Sequence, residues 1–200
     1  FRSPLNRLYH HPLNVAKVVN IVASTRYASK LDVNTIADLL EIDFEQEQFP
    51  GMVYRIAEPK VCVLLFRSGK AVVTGAKNVE SIDIAFKLLR EDLLKHGFEL
   101  WDEADCESVL HNIVVTCDIC EDVDIEKINL SKLMLLLPFE KTEYEPEQFP
   151  GLIYRLSDLG VVYLIFSSGK CVITGSSDFQ TAKDAEVEIK KQLNELKVNL

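Results

Sequence analysis

The chain has 200 residues, 48% of them apolar, and carries a formal net charge of −9. That is enough apolar mass for a substantial core, either as one domain or as two fused halves of about 90 residues. No apolar run approaches the roughly 18 residues of a membrane span, and the opening Phe1-Arg-Ser-Pro-Leu5 lacks a signal-peptide pattern. The acidic balance argues against unspecific attachment to nucleic acid, which draws its affinity from Lys and Arg neutralising phosphates. The first residue is not Met, so the numbering is expected to start inside a longer chain. Five cysteines, odd in number and without a regular framework, fit a reducing intracellular compartment and buried free thiols. Cys117-x-x-Cys120 has metal or redox spacing, yet no second Cys/His pair completes a zinc site, and neither a metal nor another cofactor is expected.

Residues 1–14 combine Pro, His and Arg without periodicity and read as a flexible arm. Lys17 to Ser24 is rich in β-branched residues and reads as a strand, followed by a helix from Asp32, a plausible N-cap, to about Leu40. A short strand is expected at Ile42 to Glu45, then a Gln-Phe-Pro-Gly turn, then strands at Met52 to Ala57, Val61 to Phe66 and Lys70 to Thr74. Arg67-Ser-Gly-Lys70 joins the last two as a tight hairpin. A longer helix from Asn78 to about Lys95 has Ile82, Ala85, Phe86, Leu89 and Leu93 on one face and Gly97 as its stop. A linker with Trp101 and several acids covers about 98–108.

The order then repeats. Strands are expected at Val109 to Cys117, Leu152 to Ser157, Val161 to Phe166 and Lys170 to Thr174, with helices at Asp124 to Leu137 and Asp178 to about Lys197. Aligned without a gap, 45–75 and 145–175 share 17 of 31 positions. Asn20 to Phe49 spans 29 residues and Asn112 to Phe149 spans 37, so the second copy carries an eight-residue insertion near its first helix. Two copies are too few for a solenoid; they imply approximate two-fold symmetry and suit a target that is itself nearly symmetric, as duplex DNA is. The division expected is an arm at 1–14, a first repeat at 15–105 and a second at 106–200.

A one-sided antiparallel sheet should alternate apolar and polar residues. Here Val-Cys-Val-Leu-Leu-Phe66 and Val-Val-Tyr-Leu-Ile-Phe166 are apolar throughout, so both faces of each sheet are greasy. About two helices per half can cover one face only. The other is either an exposed interaction surface or the inside of a sandwich of the two halves.

The doubled Gln-Phe-Pro-Gly, Tyr-Arg, Phe-x-Ser-Gly-Lys and Val-x-Thr-Gly segments, together with the Asn-Ile-Val that opens each half, resemble the core domain of the TATA-box-binding protein family. The resemblance covers about 15–197 and implies an α+β saddle: two pseudo-symmetric repeats, a curved ten-stranded antiparallel sheet, and helices on its convex face. Its concave face would grip the DNA minor groove, which selects the interaction surface over the sandwich.

By the same resemblance, Phe49 with Phe66, and Phe149 with Phe166, are DNA-intercalating wedge pairs, the role for which this family is the established example. Asn20, Val22, Asn112 and Val114, with Leu64, Leu164, Val72, Thr74, Val172 and Thr174, would face the bases. The Asn amides would donate to acceptors shared by A·T and T·A pairs. Arg55, Lys70, Ser68, Arg155, Lys170 and Ser168 match phosphate contacts, and Glu145 and Glu147 match an acidic loop that a transcription factor IIB-type partner grips. The implied function is a general transcription initiation factor on A/T-rich promoter DNA that recruits the RNA polymerase machinery. Free protein could dimerise through its open face. Such a protein works in the nucleus of a eukaryote, or in the cytoplasm and nucleoid of an archaeon.

The alternative is a diverged scaffold that binds protein partners with weak or no DNA binding. It draws on lost basic groups: Lys77 corresponds to Ser177 and Lys60 to Gly160, while Val19 and His111 stand where Gln is common before the Asn. An enzyme is not expected. Catalysis needs a convergent acid/base or metal set, and of His10, His11, His96 and His111 only the last lies near the expected face, beside no paired carboxylate or nucleophile.

Overall fold

The structure is a computed structural model that describes residues 16–200; the arm expected at 1–14 lies outside the described residues. It contains two compact units, the first built on Asn20–His111 and the second on Asn112–Leu200.

In the first unit β1 (Lys17–Arg26), β2 (Met52–Ile56), β3 (Val61–Leu65) and β4 (Lys70–Ala76) form an antiparallel sheet in the order β2-β3-β4-β1. Helix α1 (Val33–Leu39) starts where the Asp32 carboxylate accepts the Thr35 amide at 3.3 Å, and it buries Val33, Ile36 and Ala37. Helix α2 (Val79–Lys95) is capped by Asn78, which accepts the Ser81 amide at 2.8 Å. It buries Ile82, Ala85, Phe86, Leu89 and Leu93, the stripe expected from their 3.6-residue spacing, against β3 and β4. Below it lie Ile21, Ala23, Met52, Val63, Leu65 and Val73, all fully buried. At about 25 cal/mol per Å² of apolar surface removed from water, this helix-facing layer is the main source of stability.

The second unit repeats the plan with β5 (Val109–Asp118), β7 (Leu152–Leu156), β8 (Val161–Ile165), β9 (Lys170–Ser176) and α5 (Phe179–Leu196). A short additional strand, β6 (Thr142–Glu143), pairs with β7, giving the order β5-β9-β8-β7-β6. Asp178 caps α5 by accepting the Thr181 amide at 2.8 Å.

Two expectations are corrected. The described residues hold nine strands, not ten: Ile42 to Glu45 is not a strand. The Ile42 amide folds back to the Ala37 carbonyl at 2.9 Å, and the Glu45 carbonyl accepts from Gln48 and Phe49. The first copy, eight residues shorter, passes from helix directly into turn, whereas the second has chain enough to lay β6 along β7. The helix expected over Asp124 to Leu137 is reduced to α4 (Leu130–Leu136), and a separate short helix, α3 (Ile119–Val123), lies before it. Asp124 does not start a helix but ends one, in the left-handed conformation at φ 55° that closes α3.

The linker is tied to the first unit. The Trp101 amide donates to the Tyr27 carbonyl at 2.7 Å, Arg90 donates to the Trp101 carbonyl at 2.6 Å, and the Arg26 guanidinium stands 5.6 Å from the Trp101 ring. Such a cation over an indole is mildly attractive.

Candidate nucleic-acid interface

Strand alternation sends every second side chain away from the helices. In the first unit the register places Ser24, Val72, Leu64 and Val53 in one row and Thr74, Cys62 and Arg55 in the next. The second unit has Thr116, Val172, Leu164 and Ile153, then Thr174, Val162 and Arg155. Val22, Val53, Leu64, Val72 and Thr74 remain half-buried, as do Val114, Ile153, Leu164, Val172 and Thr174. Each unit therefore presents a second apolar sheet surface that its own helices do not cover; the one carboxylate in these rows is Glu143, which β6 sets in register with Ile153 at the outer edge of the second unit.

Val53, Cys62, Ile153 and Val162 belong to this surface and were absent from the sequence-derived set. The signal was available: Met52 and Leu152 face the core, so the alternation sends Val53 and Ile153 outward.

The Thr-Gly of each copy makes a β-bulge. Between Ile21 and Ala23 the partner strand advances from Ala76 to Val73, so β4 carries one extra residue, and β9 does the same between Ser176 and Ile173. Gly75 and Gly175 sit there at φ 88° and 98°, which favours glycine. The amide that the bulge releases from the ladder is taken by an Asn side chain: Gly75 N–H donates to Asn20 Oδ1 at 2.7 Å, Gly175 N–H to Asn112 Oδ1 at 2.8 Å. A backbone amide is only a donor, so the oxygen must face it, and this fixes which end of each amide remains. What each Asn has left is chiefly its NH2 group. Asn112 Nδ2 lies 3.1 Å from Thr174 Oγ1.

The four aromatic residues meet in two pairs. Phe49 and Phe66 have centroids 6.2 Å apart at 67°, and Phe149 and Phe166 lie 5.8 Å apart at 68°, both edge-to-face. The Glu45 and Glu145 carbonyls accept from the Phe49 and Phe149 amides at 3.1 and 2.9 Å, which fixes the turn that presents the ring. Phe49 is 44% exposed, unusual for a ring that could be in the core. Glycine is the seat for each pair: a Cβ on Gly51 would lie 2.8 Å from Phe49 Cε1 and 3.0 Å from Phe66 Cε1, and one on Gly151 would lie 2.7 and 3.1 Å from the matching atoms.

Arg55, Ser68 and Lys70 are exposed beside the first surface, and Arg155, Ser168 and Lys170 beside the second. Arg155 pairs with Glu143 at 3.3 Å. Lys70 and Lys170 each follow a hairpin closed by the Gly69 or Gly169 amide donating to the Phe66 or Phe166 carbonyl at 2.9 Å. Glu145 and Glu147 are exposed in the second turn.

The phenols that burial perturbs lie elsewhere. Burial raises Tyr27 and Tyr163 well above the usual range, and their hydroxyls donate to the helix carbonyls of Phe86 and Ala185 at 2.7 and 2.9 Å. Among the described residues no group of three or more His, Cys, Asp or Glu could hold a metal ion.

Fold and surface together define a class: an α+β protein of two sequence repeats, each presenting an apolar sheet surface with charged side chains only at its edge. Residues 15–96 and 107–196 match the family described as Transcription factor TFIID (or TATA-binding protein, TBP). The TATA-box-binding protein of Thermoplasma acidophilum is 42% identical over 180 residues, covering 90% of this chain and 94% of the relative. That of Natronomonas pharaonis is 44% identical over 186 residues, covering 92% and 96%. The solved structure of Methanococcus jannaschii TBP superimposes with a TM-score of 0.79 at 44% identity, covering 90% of this chain and 99% of that one. The chain belongs to the TATA-box-binding protein family, a family of DNA-binding transcription factors, and has its fold.

Proposed function

We propose that this protein is a transcription initiation factor that lies in the minor groove of A/T-rich promoter duplexes and kinks them with its two phenylalanine pairs. The observation that carries this reading is the matched pair of ring clusters, at 6.2 and 5.8 Å, each resting on a glycine beside an uncovered apolar sheet surface. A ring inserted at a base step replaces lost base stacking with its own contact, which offsets part of the unstacking cost. The NH2 groups of Asn20 and Asn112 donate to N3 and O2 acceptors, common to A·T and T·A. Leu64, Val72 and Thr74, with Leu164, Val172 and Thr174, exclude water and leave a guanine amino group without a partner. The added residues Val53, Cys62, Ile153 and Val162 extend that dry surface.

The two repeats, taken as 15–105 and 106–200, each supply half of the grip. Lys70, Lys170, Arg55 and Arg155, helped by Ser68 and Ser168, hold phosphates. Glu145 and Glu147 offer negative charge to a transcription factor IIB-type protein, through which the polymerase machinery is recruited. The reading needs no catalytic group. The archaeal relatives favour work at the nucleoid of a cell without a nucleus. Without DNA, the same apolar surface suits a second copy of the chain.

The net charge of −9 favours a second reading, a protein scaffold with weak DNA binding. Energy transfer across an end-labelled TATA duplex separates the two, with a G/C-substituted duplex and the Phe149→Ala, Phe166→Ala variant as controls. The proposed function requires A/T-dependent bending that the variant loses. No bending of either duplex, even with a IIB-type partner present, would leave the scaffold.

A further inference from the structure

The apolar surfaces of the two units are nearly identical: Asn20 matches Asn112, Leu64 matches Leu164, and Thr74 matches Thr174. Because A·T and T·A present the same minor-groove acceptors, such a surface cannot tell one end of an A/T-rich site from the other. The repeat breaks chemically at the residue before each Asn, which is Val19 in one copy and His111 in the other.

His111 is exposed, and its Nε2 lies 2.6 Å from Ser24 Oγ. Ser24 stands in register with the half-buried Val72, on the side away from the helices, yet is only 6% exposed. The corresponding pair in the other copy, Thr116 and Val19, has no ring nitrogen and cannot form this bond.

One ring nitrogen is thus engaged, and Nδ1 has no other partner among the described residues. When the Ser24 hydroxyl donates to Nε2, Nδ1 carries the ring proton and donates. When Nε2–H donates to the Ser24 oxygen, Nδ1 is bare and accepts. The neutral ring can therefore meet either a groove acceptor or the N2 amino hydrogen of guanine. Valine meets neither, and a guanine amino group buried against it loses its water without replacement.

We propose that His111, oriented by Ser24, gives the binding surface its polarity: the half of the site nearest His111 admits a G·C pair that the half nearest Val19 rejects. The inference rests on the minor-groove reading above.

The test uses a palindromic A/T duplex, a set of duplexes with one G·C pair placed in turn at each position of one half, and duplexes with the G·C pair mirrored in both halves. Each protein's affinities, by fluorescence anisotropy, are normalised to its own value on the unsubstituted duplex, and folding is checked by thermal melting. At one position or more, the wild type can turn to place a single G·C at His111, so it loses less than about twofold there. The mirrored pair costs it about fivefold or more. His111→Val loses about fivefold on the single substitution already. His111→Gln, which keeps a donor and an acceptor, behaves as the wild type, and Val19→His tolerates the mirrored pair. Equal losses for wild type and His111→Val at every position overturn the proposal while the minor-groove reading stands. Absence of A/T-dependent binding and bending on the unsubstituted duplex overturns both.

Discussion

The side-chain carbonyl of Asn20 accepts the backbone amide of Gly75 at 2.7 Å, so one residue both repairs a β-bulge and presents a hydrogen-bond donor. The copy at Asn112 and Gly175 does the same at 2.8 Å. Two substitutions separate these tasks. Asn112→Asp keeps an acceptor for Gly175 and removes the NH2 group, so its melting temperature should stay near the wild type while affinity for a TATA duplex falls by about tenfold. Asn112→Ala removes the acceptor too, and should lose affinity and about 1 kcal/mol of stability. Denaturant melts beside anisotropy titrations check this; if Asn112→Asp binds as tightly as the wild type, the amide does not donate to bases.

Gly151 is a seat for rings and not a hinge. An added Cβ would come within 2.7 Å of Phe149 Cε1 and 3.1 Å of Phe166 Cε1, closer than packed carbons allow. The rings are the part that can yield. Gly151→Ala is expected to fold at a cost of about 1 kcal/mol, and to reduce the bend angle while retaining most of the affinity that comes from phosphate contacts. Energy transfer on an end-labelled duplex reads the angle. An unchanged bend would mean that ring position at this end does not set the kink.

Most of the fold could be read from local chemistry, because period, caps and turns agree. Asn78 and Asp178 cap where a side-chain acceptor precedes an apolar stripe, and Gly69 and Gly169 turn where a positive φ is required. Ile42 to Glu45 misled because its alternating apolar residues suit a strand, while reaching the neighbouring strand takes a length of chain before the turn that only the second copy has, and there Thr142–Glu143 pairs with β7. Asp124 misled because an N-cap residue type also tolerates the left-handed conformation in which it ends α3. At the site, the twin Phe, Asn and Gly positions stood out through repetition. The bond between Ser24 and His111 did not, since 87 residues separate them and no local pattern joins a strand serine to a distant imidazole.

Lys190 holds together a charge cluster in which Glu186 is buried and Asp122 is exposed. Its ammonium lies 2.6 Å from Asp122 Oδ2 and also bonds Glu186, whose side chain is only 2% exposed. Burial alone would lower the Lys190 pKa, but bonds to the Asp122 and Glu186 carboxylates outweigh it and the net direction is upward. A raised folded-state value means that the stabilisation is fully present below the unfolded lysine value of about 10.4, and is lost as pH rises through the higher folded value. Lys190→Met should therefore cost about 3 kcal/mol at pH 7, because Glu186 is left buried without a counter-charge. The gap from the wild type should narrow above about pH 10.4. Lys190→Met with Glu186→Leu should recover most of the loss. Urea melts at neutral and alkaline pH decide; a gap constant with pH would show that the lysine stem, and not its charge, is what matters.

Arg55 and Arg155 occupy matching places but unequal surroundings. Strand β6 brings Glu143 to 3.3 Å from Arg155, whereas the first copy has no such strand and Arg55 has no ion pair among the described residues. On the proposed minor-groove reading, a phosphate must displace Glu143 before it can use Arg155, while Arg55 is available at once. Both partners in the Arg155 pair are about half exposed, at 52%, so the competition is modest. Glu143→Gln should raise affinity for a TATA duplex by about two- to fivefold. In the wild type, Arg55→Ala should cost more affinity than Arg155→Ala, and in the Glu143→Gln background the two should cost the same. Each Arg that truly meets a phosphate contributes about 0.9 to the slope of log K against log salt. Titrations across a range of KCl concentrations therefore give a second reading: Arg55→Ala should flatten the slope in either background, and Arg155→Ala should do so more fully once Glu143 is gone. Equal slopes for Arg55→Ala and the wild type would place this arginine away from the phosphates, and the cationic edge would then have to be built from Lys70 and Lys170.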